Sequence, residues 1–189
     1  MNSPLRNELI LWMGEKHSGK TTAVAELVEI ANSEGFNIAG VLAPSIYHNG
    51  ILVGFDVLDV QYKMRAPLAR RKINGGKTGE FIFIANGLKL GNDALNAGIN
   101  ESVELIIVDE FGPLELNGGG WRKSVDSLMA RSDVLKLLVV RQELTDAIHQ
   151  LYIDIPCLKL TATEPKSIDI VIRTLRKRRQ SQRGKNAKA

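Results

Sequence analysis

Nine consecutive residues near the start of the chain have the types and the spacing that bind a polyphosphate. They match the pattern G-x-x-x-x-G-K-[ST] as Gly14-Glu15-Lys16-His17-Ser18-Gly19-Lys20-Thr21-Thr22. Glycines at this spacing let successive backbone N–H groups turn towards phosphate oxygens, and a helix that begins at the loop adds the positive end of its dipole. The pattern predicts that Lys20 reaches the terminal phosphates and that Thr21 binds a magnesium ion. All nine residues are therefore candidate nucleotide-binding residues, with Mg²⁺ as the cofactor.

Two adjacent acids, Asp109 and Glu110, directly follow the aliphatic run Leu105 to Val108. Such a run predicts a buried parallel strand, and in open α/β sheets ligands bind at the carboxyl ends of the strands. Beside a phosphate loop, Asp109 suits the magnesium shell and Glu110 suits a base that positions water. We therefore predict Thr21 and Asp109 as metal ligands, and Lys20 and Glu110 as catalytic residues.

Arg141 is the third candidate catalytic residue. It follows a second buried run, residues 135–140, and so is expected at the same edge of the sheet. A guanidinium there either caps the strand towards solvent or stabilises phosphate charge during a transfer reaction. The sequence leaves both roles open.

The stretches on either side of residues 14–22 predict the elements that a phosphate loop needs. Residues 9–13 are apolar and predict a buried strand that ends at the loop. A helix should follow and end at Gly35, with its apolar face formed by Val24, Leu27, Val28 and Ala31. Strand, glycine-rich loop and helix in this order favour a real phosphate site over a chance match.

The rest of the chain alternates strand-like and helix-like patterns, which predicts an α/β fold. Strands are predicted at 37–43, 80–85, 105–110, 135–140 and 157–160, with a hairpin over residues 45–60 whose turn is 48–50. Residues 88–98 are a weaker helix prediction because Gly91 interrupts them. Later helices are predicted from the apolar positions around 125–129, 144–151 and 168–175. Asn117 to Gly120 is predicted as a flexible break.

Residues 61–79 are polar and predict a loop. The Gly75-Gly76-Lys77-Thr78 stretch is not a second phosphate loop, because Arg71 stands where the pattern needs glycine. One interpretation is a solvated loop; the other is a loop that brings cations over bound phosphates. The cations are Lys63, Arg65, Arg70, Arg71, Lys72 and Lys77.

The chain has 189 residues, of which 44% are hydrophobic, so we predict one domain over residues 1–175. Its basicity is local: eight Lys or Arg and no acid follow residue 170, whereas the rest carries 17 basic against 21 acidic residues. We expect residues 176–189 to be a disordered basic tail. No aromatic residues interleave its charges, which favours a solvated segment over the alternative of nucleic-acid binding.

A single cysteine, Cys157, excludes an internal disulfide and favours a reducing, cytoplasmic setting. The first apolar run has only five residues, which is too short for a secretory core or a membrane span. We therefore expect no membrane partner. The sequence carries no signal of oligomeric state.

Several blocks of the chain together resemble the small P-loop nucleoside-triphosphatases, a family with thermophilic and human cancer-related members. The resemblance covers most of residues 9–142 and is carried by residues 14–22, Gly35-Phe36 with Gly40-Val41, Gly54-Phe55-Asp56, and Val108-Asp109-Glu110-Phe111-Gly112-Pro113-Leu114-Glu115-Leu116. The last block resembles the family form D-E-I-G-K-M-E-L. Pro113 stands where lysine is common in the family. Within the phosphate loop, Glu15-Lys16-His17 stands where the family usually has a Pro-Pro-Gly-like sequence.

This resemblance implies a P-loop NTPase fold of three α/β/α layers, with a mostly parallel central sheet, an added antiparallel hairpin and a glutamate after the magnesium-side aspartate. It implies slow hydrolysis of nucleoside triphosphates (ATP, GTP or others) with broad base tolerance. A small-molecule or nucleotide kinase and a nucleotide-dependent accessory module remain alternatives. A guanine-specific switch is disfavoured because the chain has no N-K-x-D or T-K-x-D motif.

Overall fold

The computed structural model describes residues 8–74, 77–100 and 102–186, and within those ranges it has nine strands and six α-helices. In chain order these are β1 (Leu9–Gly14), α1 (Lys20–Ser33), β2 (Ile38–Leu42), β3 (Ser45–His48), β4 (Ile51–Asp59), β5 (Arg65–Asn74), β6 (Lys77–Phe83), α2 (Ala85–Asn100), β7 (Leu105–Asp109), α3 (Pro113–Leu116), α4 (Arg122–Met129), β8 (Leu135–Arg141), α5 (Thr145–Leu151), β9 (Cys157–Thr161) and α6 (Lys166–Asn186). A short 3₁₀ turn, Gln142–Leu144, joins β8 to α5.

All nine strands form one sheet in the order β6-β5-β4-β2-β7-β8-β1-β9, and β3 pairs with β4. The strands β2, β7, β8, β1 and β9 are parallel, whereas β3, β4, β5 and β6 are joined by antiparallel pairing. The predicted mixed α/β architecture, mostly parallel with an antiparallel part, is confirmed. The central strands are continuous aliphatic runs because helices cover both of their faces.

Helices pack on the two faces of the sheet and bury two apolar clusters. Helices α1 and α6 cover one face with Val24, Leu27, Val28, Ala31, Val171, Ile172 and Leu175. Helices α2, α4 and α5 cover the other with Ala94, Leu95, Val125, Leu128 and Ile148. The apolar spacing that predicted α1 is therefore the face that the sheet buries.

The antiparallel part is larger than the sequence predicted. The hairpin over residues 45–60 is confirmed as β3 and β4, but residues 61–79 form most of a second hairpin, β5 and β6, instead of a loop. Long-range side-chain contacts explain the difference. Arg65 and Arg70 both form ion pairs with Asp56 on β4, and the guanidinium of Arg71 lies 5.0 Å from the ring centroid of Phe81. Gly75 and Gly76 lie outside the described residues.

These contacts occupy three of the cations that could have covered a phosphate. They also account for the Gly54-Phe55-Asp56 block. A Cβ at Gly54 would lie 2.3 Å from the backbone oxygen of Ala69, so β4 and β5 approach each other this closely only with glycine. The ring centroids of Phe55 and Phe81 lie 5.1 Å apart in a tilted arrangement, and Asp56 forms ion pairs with Arg65 and Arg70.

The helix predicted weakly over 88–98 extends from Ala85 to Asn100. Gly91, which weakened that prediction, provides space: a Cβ there would lie 2.4 Å from the indole nitrogen of Trp121. Trp121 is buried at the start of α4. The glycine therefore lets α2 pack against the segment that leads into α4.

The prediction of a disordered tail from residue 176 is wrong for the residues that the structure describes. Helix α6 continues to Asn186, because its arginines bind the body of the protein. Arg176 pairs with Glu34 and Arg179 with Glu104.

The predicted flexible break, 117–120, is a hydrogen-bonded turn in which Gly119 N–H donates to the Leu114 carbonyl. Within the described part of the chain, no helix is long and apolar enough to cross a membrane.

Candidate functional site

The phosphate-loop residues lie where the motif requires them, between the end of β1 at Gly14 and the start of α1 at Lys20. Gly19 adopts a φ of 84°, a left-handed conformation that glycine accepts without strain. Five of the nine residues face solvent: Glu15, Lys16, His17, Gly19 and Thr22. The loop backbone is thus open to a ligand.

Two side chains of the loop indicate an anion-binding site. Lys20 is buried, and its amine donates to the Glu15 carbonyl at 2.7 Å, so it folds back over the loop. The Ser18 hydroxyl is also buried and has no hydrogen-bond partner among the described residues. A Cβ at Gly14 would lie 2.7 Å from that hydroxyl, so glycine is needed for the loop to close this tightly. Phosphate oxygens would satisfy both groups.

Strand β8 lies between β1 and β7, and this order brings the predicted residues together. In the register of the sheet, Gly14 is beside Arg141, and Asp109 is beside Val139. The loop, Arg141 and the acid pair therefore occupy three neighbouring strand ends at the carboxyl edge of the parallel sheet. Neighbouring strands lie about 5 Å apart, so a single nucleotide can contact all three.

Asp109 is fully inside the protein, where its carboxylate accepts a hydrogen bond from the Ala43 N–H at 3.0 Å. Burial raises the pKa of Asp109 to about 6, and the nearby Glu110 adds to the rise, although Ala43, Thr21 and Lys20 oppose it. The Asp109 carboxylate and the Thr21 hydroxyl are both hard oxygen donors that fit Mg²⁺. A cation at this point would stabilise the buried charge.

Glu110 has different surroundings from its neighbour. About a third of its side chain is exposed, and its Oε1 accepts a hydrogen bond from Arg141 Nε at 3.1 Å. The structure thus brings together two residues that the sequence predicted separately as candidate catalytic residues. Arg141 contacts a carboxylate at the site rather than only capping β8 towards solvent.

One residue of the site was missed by the sequence reasoning. Glu115 stands in a block quoted above, but no role was predicted for it. It is buried on α3, and its Oε2 accepts the Gly112 N–H at 3.0 Å. The available signal was an acid set among apolar residues, between Leu114 and Leu116.

Comparison with known proteins shows which proteins the chain is similar to. A protein-family model described as NTPase matches residues 10–172. The chain is similar to nucleoside-triphosphatase THEP1 of Methanothermobacter thermautotrophicus, with 31% identity over 142 residues that cover 75% of this chain and 80% of the relative. It is also similar to nucleoside-triphosphatase THEP1 of Methanopyrus kandleri, with 26% identity over 124 residues, 66% of this chain and 67% of the relative.

Two solved structures have the same fold. The solution structure of a human cancer-related nucleoside triphosphatase aligns with a TM-score of 0.65 at 19% identity and covers 88% of this chain and 96% of that one. The crystal structure of THEP1 from Aquifex aeolicus aligns with a TM-score of 0.65 at 16% identity and covers 88% of this chain and 98% of that one.

Proposed function

The chain belongs to the NTPase family, whose model matches residues 10–172, and from that premise we propose that it hydrolyses nucleoside 5′-triphosphates to the diphosphate and phosphate. The reaction is Mg²⁺-dependent, slow and tolerant of the base. The names of its relatives support hydrolysis of nucleoside triphosphates. Its single Cys157 supports a reducing, cytoplasmic setting.

One observation carries the proposal: the phosphate loop after β1 and the buried Asp109 at the end of β7 lie at the same edge of the sheet, with Thr21 of α1 close enough to Asp109 to oppose the rise in its pKa and with Glu110 next in the chain. A phosphate site alone fits a kinase or a binding module equally well. An adjacent carboxylate that is about a third exposed favours water as the nucleophile.

Thr21 and Asp109 would hold the metal ion, which neutralises charge on the β- and γ-phosphates when it is bound. The loop amides and Lys20 bind the same phosphates, and Lys20 exchanges its contact with the Glu15 carbonyl for phosphate oxygens. These groups hold the terminal phosphorus at the end of β7. Substrate position is therefore set by backbone and buried side chains.

Glu110 orients a water molecule and accepts its proton as the water oxygen attacks the γ-phosphorus. The bond from that phosphorus to the bridging oxygen breaks, and its electron pair leaves with the nucleoside diphosphate. Arg141 stabilises the negative charge that builds up on the transferred group. Broad base tolerance is what the family resemblance implies, and the lack of an N-K-x-D or T-K-x-D motif in the chain argues against a guanine-specific site.

A phosphate-release assay tests the proposal. The full chain is incubated with ATP, GTP, CTP, UTP or the corresponding diphosphates, with Mg²⁺ or with excess chelator, and without any acceptor. We expect release from all four triphosphates, no release with chelator, and turnover numbers at the low end of the enzyme range. Binding without phosphate release would contradict hydrolysis, and strict preference for one base would contradict tolerance.

A further inference from the structure

Residues 110–121 leave the end of β7, form the single turn of α3 and reach α4, and they carry the proposed base at their first position. A glycine-rich segment of this kind would be mobile without side-chain contacts that hold it in one conformation. The side chain of Glu115 lies inside the segment, only 6% exposed, where a carboxylate is rarely found without partners.

The Glu115 carboxylate binds both ends of the segment. Its Oε2 accepts the Gly112 N–H at 3.0 Å, two residues after Glu110. The Trp121 N–H and the Glu115 N–H also favour the charged form of this carboxyl, although burial raises its pKa. Gly120 packs so closely that a Cβ there would lie 2.1 Å from Oε1. One carboxylate thus closes residues 112–121 into a loop.

The far end of this loop is anchored in the core. The Trp121 indole is buried and lies against Gly91 of α2, where a Cβ would approach it to 2.4 Å. At the other end, the Phe111 N–H donates to the Val139 carbonyl of β8 at 2.9 Å. Glu110 therefore sits between a strand and a closed loop, both of which are fixed.

We propose that Glu115 is a positioning residue for the hydrolytic reaction: it holds residues 110–112 so that Glu110 faces the phosphate loop. This inference rests on the proposed function, because it assigns to Glu115 an effect that acts through Glu110. An alternative role as a helix cap would stabilise α3 and have no specific effect on turnover.

The test is a double-mutant cycle of Glu115→Gln and Glu110→Gln, with turnover, KM and the affinity for a non-hydrolysable triphosphate measured for each variant. Glutamine keeps the size of the side chain but places an NH₂ group against amide donors. Loss of positioning typically costs about 10-fold to 100-fold, so we expect Glu115→Gln to lower kcat by that factor with KM and affinity within about threefold. In the Glu110→Gln background it should lower kcat no further.

Ser124→Ala is the matched control, because Ser124 is equally buried and its hydroxyl donates to Asn92 on α2 at 2.8 Å. We expect its kcat to stay within about twofold. If Glu115→Gln does not fold, Glu115→Asp replaces it in the same cycle. Unchanged kcat, or the same loss in both backgrounds, overturns the inference and leaves the hydrolase proposal intact. Wild-type turnover by Glu110→Gln alone would instead overturn the base assignment and this inference with it.

Discussion

Asp109 and Glu110 are consecutive carboxylates in opposite environments. Asp109 is buried and accepts a hydrogen bond from the Ala43 N–H, whereas Glu110 is partly exposed and accepts one from Arg141. A buried, immobile oxygen donor suits a metal ion, and a carboxylate in contact with solvent suits proton transfer to and from water. The two roles thus follow from burial, although the residues are chemically alike.

Glu110→Gln should keep the shape of the site and its nucleotide affinity while removing the base. General-base contributions are commonly about 100-fold to 10,000-fold, so turnover should fall into that range. Asp109→Asn should behave differently, because a weakened metal shell raises the Mg²⁺ concentration needed for half-maximal rate. Magnesium titrations of phosphate release, with equilibrium binding of a triphosphate analogue, separate the two. Hydrolysis by Glu110→Gln within a few-fold of wild type would favour the kinase or binding-module alternative.

Arg141→Ala should lower turnover more than nucleotide affinity, because its guanidinium meets charge that builds up during transfer. Removing one such donor costs about 100-fold to 1,000-fold in kcat. Arg141→Lys keeps the charge but loses the planar fork that reaches both a carboxylate and a phosphate, so it should restore only part of the rate. Steady-state kinetics and binding of a triphosphate analogue measure both quantities. Wild-type turnover in Arg141→Ala would show that Arg141 only caps the end of β8.

Strand β8 connects the site at one end with a buried cation at the other. Its second residue, Lys136, is 1% exposed and donates to the Arg131 carbonyl. Burial lowers the pKa of Lys136 to about 8, with Arg178 and Arg131 adding to the fall and Glu8 and Asp133 opposing it. The folded protein therefore releases this proton at a lower pH than the unfolded chain.

The free energy of unfolding should consequently depend on pH through Lys136. Between about pH 8 and pH 10.5 the unfolded chain binds more protons than the folded one, so stability rises with pH. The gain reaches about 3 kcal/mol if the whole pKa difference is expressed. Urea unfolding at pH 7.5, 8.5 and 9.5 should show the rise in wild type and in the surface control Lys89→Met, but not in Lys136→Met. An equal slope of unfolding free energy against pH in all three proteins would refute the assignment to Lys136.

At the scale of the whole molecule, α6 contacts the amino-terminal ends of the strands, whereas the phosphate loop lies at their carboxyl ends. The Arg179 guanidinium lies 3.9 Å from the Phe36 ring centroid, pairs with Glu104 and donates to the Gly35 carbonyl at 2.8 Å. It thereby joins the connections that precede β2 and β7. Charges committed to these contacts are not available to a nucleic acid.

Arg179→Ala should therefore reduce stability without changing chemistry. A partly desolvated cation–π contact together with charged hydrogen bonds contributes about 1 to 3 kcal/mol. We expect a lower unfolding midpoint in denaturant, with kcat of the folded enzyme unchanged because the site is at the other edge. Lys177→Ala, exposed on the same helix, is the control and should keep the wild-type midpoint. A fall in kcat without a fall in stability would contradict this separation.

The sequence by itself determined the local features of this protein. The glycine and lysine spacing of residues 14–22 specifies a phosphate loop because it acts through its own backbone, and the aliphatic run before Asp109 specifies a strand because helices must cover both faces. The helical spacing of Val24, Leu27 and Ala31 likewise identified the face that packs on the sheet. Each of these inferences needed only residues close together in the chain.

The tertiary structure alone decided what depends on partners far apart. Strand order placed β8 beside β1 and β7, and so put Arg141 against Glu110, 31 residues away. Asp56 made β5 a strand by binding Arg65 and Arg70, and Glu104 held the tail of α6 in a helix. Polar segments have no local preference strong enough to reveal such outcomes, because their stability comes from ion pairs and packing that form only when the chain has folded.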